Sequence, residues 1–294
     1  MKIGYPCINR TFGVSASRSF RLASYSPERL RSTVHENLAG LQGILEWNRD
    51  RGVRFFRISS ETIPFASHPG MDVDWQREFR SEFAAIGEYI RSQEMRVNMH
   101  PGQYTLLSSP RPDVQARSVA ELVYHAELLD LLELDRTHVI QIHVGGVYGD
   151  RAATISTVIA RIAGLPDDVR NRLVIENDEH HYPLADCLSI SGDTGLPVLL
   201  DVFHHSILNS GEAIPAAVDA AGKTWSEHGL PMIDFSSQNG SLRVGAHASA
   251  LNEEDFRTFL EVLGNRDVDI MLEIKDKEAS ALQALSILRA RDGG

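Results

Sequence analysis

Cysteine is nearly absent from these 294 residues: only Cys7 and Cys187 occur. No disulfide framework is therefore expected, and a reducing cytoplasm is the expected setting. No stretch approaches 18 consecutive apolar residues, which predicts no membrane span. The first residues, Met1 to Pro6, read as a strand without an apolar h-region, so no signal peptide is expected. Low-complexity tracts, long charge runs and Pro/Ser-rich linkers are also missing. Positive charge is scarce, for the formal net charge is −11. Taken alone, that balance argues against nucleic acid, whose binding relies on Lys and Arg neutralising phosphates. Twelve histidines and the acidic excess have another use, metal ligation, and bound divalent cations reverse the local field whatever the global charge. Composition leaves the partner open.

What recurs is a short β-branched run followed by a longer segment of helical period, at intervals of roughly 30–40 residues, as in repeated βα units. The predicted strands are Lys2–Tyr5, Val53–Ile58, Arg96–Met99, Val139–Val144, Arg172–Ile175, Pro197–Leu200, Pro231–Phe235 and Asp269–Ile274. Between them lie helix signals. Ser26-Pro27-Glu28 reads as an N-cap with proline at the first helical position, and Leu30, Val34, Leu38, Leu41 and Leu45 follow before Gly52. Phe79, Phe83, Ile86 and Ile90 repeat the pattern, as do Ile214, Val218 and Ala221, and Phe256, Phe259 and Leu263 after Asn252. Eight strands alternating with helices predict an α/β fold, a single (β/α)8 TIM barrel over residues 1–294, with a doubly wound open sheet as the second choice.

In such a barrel the active site lies at the C-terminal strand ends. His100, His143, Glu176 and Asp201 each close a predicted strand, and His204 follows Asp201. Asp234 sits in Met-Ile-Asp-Phe-Ser, His247 in Val-Gly-Ala-His, and Glu273 ends Ile-Met-Leu-Glu. Each alone is more often a loop hydrogen-bonder or helix cap than a ligand. Together they would converge on one mouth, where buried imidazoles and carboxylates are costly unless paired or metal-bound. Imidazole with carboxylate suits Mn²⁺, Zn²⁺ or Fe²⁺. About eight candidate ligands exceed the three or four that one ion needs, which implies two or three ions. Clustered ions occur in phosphodiester-cleaving enzymes, and sugar isomerases on the same barrel also use paired metals, so the cluster does not name the reaction. His35, His125, His138, His180, His181, His205 and His228 read as packing or surface residues, and the cysteines as small hydrophobes.

Several motifs then occur in order: Gly4-Tyr5-Pro6-Cys7 with Asn9, Ile63-Pro64-Phe65-Ala66-Ser67-His68-Pro69, and Met99-His100-Pro101-Gly102-Gln103-Tyr104. They continue with His143-Val144-Gly145-Gly146, Glu176-Asn177-Asp178-Glu179 and Asp201-Val202-Phe203-His204-His205. Ser236-Ser237-Gln238, Gly245-Ala246-His247 and Glu273-Ile274-Lys275-Asp276-Lys277-Glu278 close the series. With these motifs the chain resembles the UV damage endonucleases over nearly its whole length. Asp201-x-x-His204 and Glu176 also look like the related endonuclease IV group.

The resemblance implies a manganese-dependent TIM barrel with a three-metal cluster, in which Zn²⁺, Co²⁺ or Mg²⁺ are possible substitutes. Such an enzyme nicks duplex DNA immediately 5′ of a UV photoproduct (a cyclobutane dimer or 6-4 product), leaving 3′-hydroxyl and 5′-phosphate ends. Carried onto this chain, the metal ligands are His100, His143, Glu176, Asp201, His204, His247 and Glu273, with Glu176 and Glu273 bridging. Glu176 and His68 are the implied catalytic residues, His68 orienting the scissile phosphate. Gln103 and Tyr104 would fill the gap left by the flipped lesion, and Tyr5 and Asn9 would contribute to its pocket. Arg10, Arg18, Arg21, Lys275 and Lys277 would line the DNA groove. The chain departs from the family pattern twice. Asp234 stands where a relative has histidine, able to bind Mn²⁺ in its place, and Met232 stands where that relative has a lysine modified near the metals. Methionine cannot replace a charged lysine derivative. The rival readings are an apurinic/apyrimidinic endonuclease of endonuclease IV type, a metal-dependent sugar isomerase or epimerase, and a catalytically silent damage-binding barrel. The expected partner is UV-damaged double-stranded DNA, with no membrane and no obligate protein partner. A cytoplasmic monomer, nucleoid-associated when acting, is expected.

Overall fold

Every predicted β-branched run forms a strand in the computed structural model, which describes residues 1–292. They are β1 (Ile3–Pro6), β2 (Phe55–Ile58), β3 (Arg96–Met99), β4 (Ile140–His143), β5 (Leu173–Glu176), β6 (Val198–Asp201), β7 (Met232–Phe235) and β8 (Asp269–Leu272). The strands pair in parallel and in sequence order, and β8 returns to β1 through Ile270 beside Ile3 and Met271 beside Gly4. The sheet is a closed barrel ringed by helices, the TIM-barrel arrangement. Glu176 and Asp201 are the last residues of their strands and not the first residues beyond them. That small shift keeps both side chains under the control of the pleat.

The helices follow their capping chemistry. Ser26 accepts a hydrogen bond from the Arg29 N–H, Pro27 opens the helix Pro27–Arg51, and Gly52 ends it with φ 82°, a left-handed conformation that glycine adopts without a Cβ penalty. Asn252 caps Glu253–Leu263 through the N–H groups of Glu254 and Asp255. Leu30, Val34, Leu38, Leu41 and Leu45 all join the core between helices and barrel. Gly87 lets the helix Arg80–Ser92 lie flush on the end of Pro112–Leu131, because a Cβ there would meet the Leu132 carbonyl oxygen at 1.8 Å.

Inside the barrel, the period of two along each strand stacks the side chains in layers. A lower polar layer pairs Arg96 Nη1 with Asp269 Oδ2 at 2.9 Å. Above it Phe55, Val139, Val174, Leu199, Met232 and Met271 pack with Trp225 as an apolar plug. Two residues further along the same strands come Arg57, Gln141, Glu176, Asp201, Asp234 and, just past β8, Glu273. The plug seals this upper layer from below, so the buried polar groups open only toward the C-terminal mouth.

Candidate metal centre

Glu176 is the hub of the upper layer. Its Oε2 lies 3.3 Å from His100 Nε2 and 3.5 Å from His143 Nε2, and its Oε1 lies 3.4 Å from His204 Nδ1. Three groups of potential ligands share members: His100, His143 and Glu176; Glu176, Asp201 and His204; Asp201, Asp234 and Glu273. Asp201 caps a helix and also belongs to two of these groups of potential ligands. Its Oδ1 caps the short helix Val202–Ile207 by accepting the His204 N–H at 2.8 Å, and its Oδ2 lies 3.4 Å from His204 Nδ1. His100 and His247 each place Nδ1 against a backbone carbonyl, Pro101 O at 3.0 Å and Glu273 O at 2.9 Å. With Nδ1–H donated there, Nε2 carries the lone pair that a metal would use.

Two further observations fit a cation in this layer. Glu176 Oε1, Asp201 Oδ2, Asp234 Oδ1 and His143 Nδ1 are buried without a hydrogen-bond partner. Such orphaned acceptors are costly in a folded protein and mark places where a missing group belongs. The titration pattern points the same way. Burial pushes Asp201 up to about 7, with His204 opposing and Glu176 and Glu273 reinforcing. Burial also drives Asp234 well above the carboxylate range, against Arg57 and with the help of Glu273, Glu176 and Asp201. Burial alone would raise Glu176 as well, but His143, His100 and His204 hold it well below the usual value. His204 resists its own burial through Asp201, Glu176 and Glu179, reaching about 11. More carboxylates converge here than the local cations neutralise, and the donor set is imidazole and carboxylate oxygen, which suits Mn²⁺ or Zn²⁺.

Four participants escaped the sequence reading. Arg57 Nη2 donates to Asp234 Oδ2 and to Gln141 Oε1, both at 2.7 Å, and Nη1 donates to Glu273 Oε1. Gln141 Nε2 donates to Glu176 Oε2 at 2.7 Å and Asp234 Oδ2 at 2.6 Å, and Asn98 Nδ2 donates to Gln141 Oε1 at 3.1 Å. Glu179 Oε2 lies 3.5 Å from His204 Nε2. The available signal was parity: Arg57, Asn98 and Gln141 are polar residues inside strands that are otherwise apolar or charged only at their ends. Met232 lies in the apolar plug below Asp234.

The remaining candidates surround this layer. Tyr104 is 81% exposed on the loop after β3, with Gln103 exposed beside it. His68 is exposed and lines a cleft of about 420 Å³ with Tyr104, Ser60, Phe65 and Arg117. Ser60 at its edge donates to the His100 carbonyl at 3.1 Å. Tyr5 and Asn9 are buried: the Tyr5 hydroxyl donates to Asn48 Oδ1 at 2.6 Å, and Asn9 Nδ2 donates to that hydroxyl at 2.8 Å. Asn9 Oδ1 accepts the Thr11 and Phe12 N–H groups and so folds the loop after β1. Arg10, Arg18 and Arg21 follow β1, and Lys275 and Lys277 follow the neighbouring β8. No helix among the described residues is long and apolar enough to cross a membrane. The other histidines lie outside the metal groups; His125 and His138 are buried.

The family profile for UV-endonuclease UvdE matches residues 1–292. The UV DNA damage endonuclease of Clostridium perfringens (strain 13 / Type A) is 35% identical over 292 residues, spanning 98% of this chain and 71% of that protein. The crystal structure of SacUVDE superposes with a TM-score of 0.96 at 42% identity, covering 99% of both chains. D-psicose 3-epimerase from Clostridium cellulolyticum H10 shares the fold alone, with a TM-score of 0.60 at 12% identity over 99% of each chain. A match that runs through the whole barrel and includes its buried ligand layer makes this chain a member of the UV-endonuclease UvdE family.

Proposed function

We propose that this chain is a metal-dependent endonuclease that nicks duplex DNA immediately 5′ of UV photoproducts, leaving 3′-hydroxyl and 5′-phosphate ends, with Mn²⁺ as its metal. The observation that carries the reading is Glu176, buried among His100, His143 and His204 with an unpartnered Oε1, in a chain of the UV-endonuclease family. His100, His143, Glu176, Asp201 and His204 would hold the ions, with Glu176 shared between groups and His247 and Glu273 beside them. Bound divalent ions supply Lewis-acid polarisation of the phosphate and a water of lowered pKa.

The chain's own residues do the rest. The apolar plug excludes water from below, so the ligand layer meets solvent and substrate only at the mouth. Exposed Tyr104 and Gln103, beside His100, are suited to enter the gap in a duplex from which a damaged dinucleotide has left. His68 lines the adjoining cleft, where its imidazole would meet a phosphate. Tyr5 and Asn9 would shape the lesion pocket indirectly, by fixing the loop that carries Arg10 and Phe12. Arg10, Arg18, Arg21, Lys275 and Lys277 would contact the DNA backbone, which makes binding steeply salt-dependent despite the net charge of −11. The barrel acts as one catalytic domain and as a monomer.

The test is a 5′-labelled duplex carrying one cyclobutane dimer, incubated with the full chain and Mn²⁺ or EDTA, beside undamaged and abasic duplexes. A single Mn²⁺-dependent nick directly 5′ of the dimer is expected. Cleavage confined to the abasic duplex would assign the endonuclease IV type of activity instead. No cleavage by folded, Mn²⁺-loaded protein would overturn the reading.

A further inference from the structure

Among the described residues Arg57 is the one arginine or lysine inside the ligand layer, and its position is dictated by strand parity. It follows Phe55 by two residues on β2, so it turns inward above the apolar plug. The side chain is 3% exposed. Its guanidinium spans Asp234 and Glu273, two of the three members of the group Asp201, Asp234 and Glu273, and Gln141 Oε1 fixes its plane from the β4 side. A guanidinium has five N–H donors and no lone pair, so it cannot ligate a metal, and it stays charged at every accessible pH. An ion bound between the same two carboxylates would face this fixed positive charge at close range. Nor does β7 offer a compensating anion below Asp234, because Met232 occupies that position within the plug. Asp234 has moreover committed Oδ2 to two donors, Arg57 and Gln141, which leaves it Oδ1 alone without a partner.

We propose that Arg57 takes the place of a third metal ion, so that this chain loads two divalent cations, one on His100, His143 and Glu176 and one on Glu176, Asp201 and His204. Asp234 is then a positioning residue that orients Arg57 and Gln141, and it does not ligate an ion. The inference rests on the metal-dependent reading above and changes what that reading predicts.

Counting bound metal tests the idea without reference to activity. The metal-free full chain is titrated with Mn²⁺, free ion is followed by its electron paramagnetic resonance signal, and the bound ion is checked by elemental analysis after gel filtration. Two ions per chain are expected for the parent and for Arg57→Lys, which keeps the charge. Arg57→Met frees the third group and is expected to bind three. Asp234→Asn keeps the size and is expected to stay at two. Three ions in the parent would overturn the proposal while leaving the metal-dependent reading intact, and so would loss of one ion in Asp234→Asn. A parent that binds none would overturn both. The parent and Asp234→Asn counts decide the matter even if Arg57→Met does not fold.

Discussion

Gln141 Nε2 on β4 donates a 2.7 Å hydrogen bond to Glu176 Oε2 on the neighbouring β5, inside the barrel. The same amide serves Asp234 through its second proton and accepts from Arg57 and Asn98 on Oε1. A neutral side chain therefore bridges two carboxylates with every donor and acceptor used. Gln141→Glu keeps the shape but sets a third carboxylate against the other two. We expect the metal-free variant to lose about 3 kcal/mol of stability, the scale of breaking a buried hydrogen-bonded charge network. Urea unfolding of parent and variant in EDTA measures it, and equal midpoints would show that the amide is not holding the layer together.

As a proposed ligand, Asp201 should give metal loading a pH dependence. Burial, reinforced by Glu176 and Glu273, pushes its carboxyl up to about 7. Because this folded value lies above the unfolded one, the stability it contributes to the metal-free fold is fully present below about pH 4 and lost as pH rises through about 7. Metal binding has the opposite sign, since a ligating carboxylate must be ionised. Apparent Mn²⁺ affinity should rise about tenfold per pH unit up to about pH 7 from this group and then level off. His204, held charged up to about 11, releases its own proton on both sides of that point. Calorimetric titration in two buffers of different ionisation enthalpy should thus find about one more proton released per chain near pH 5.5 than near pH 8.5. A proton count that does not change with pH would contradict the role given to Asp201.

The barrel was legible because β-branched runs alternated with capped, periodic helices, and the convergence of imidazoles and carboxylates because His and acidic residues fell at strand ends. The strand-end rule looks only at the last residue of each strand and misses residues inside it, such as Arg57 and Gln141. Several of their partners come from strands far apart in sequence: Arg57 meets Asp234 and Glu273, and Gln141 meets Asp234. Only barrel closure makes those neighbours, so no local pattern announces them. Parity was the one local trace, since a strand reading Phe-Phe-Arg-Ile whose residues are all buried must give its arginine a partner inside. Tyr5 and Asn9 show the reverse limit, where a motif marks positions without telling whether side chains face the mouth or each other.

Tyr104 should act on DNA and on nothing else. It is 81% exposed and buries almost no apolar surface in the fold. Replacing it with alanine is expected to leave the melting temperature and Mn²⁺ count unchanged. Stacking of an aromatic ring on bases contributes about 1–3 kcal/mol, so affinity for a dimer-containing duplex should fall roughly ten- to a hundredfold. Fluorescence anisotropy in EDTA reads this without cleavage. Equal binding by parent and Tyr104→Ala would remove Tyr104 from the lesion interface.

His138, at the foot of β4, should make the protein acid-sensitive independently of the metal site. Val97 N–H donates to its Nδ1 at 3.1 Å, which fixes the neutral ring with its proton on Nε2. Burial pushes its pKa down to about 4, with Asp135 opposing and Arg96 and Arg172 reinforcing. The folded value lies below the unfolded one, so the unfolded chain binds more protons in this window and stability falls as pH drops from about 6.5 toward 4. From pH 7 to pH 5 this single group should cost about 2 kcal/mol. His138→Asn puts Oδ1 where Nδ1 accepts from Val97 and cannot titrate. In urea unfolding at the two pH values, parent should lose about 2 kcal/mol more than the variant, because every other titrating group is common to both. Parallel losses in the two proteins would mean that His138 is charged in the fold, and the acid sensitivity would then belong to the carboxylate layer.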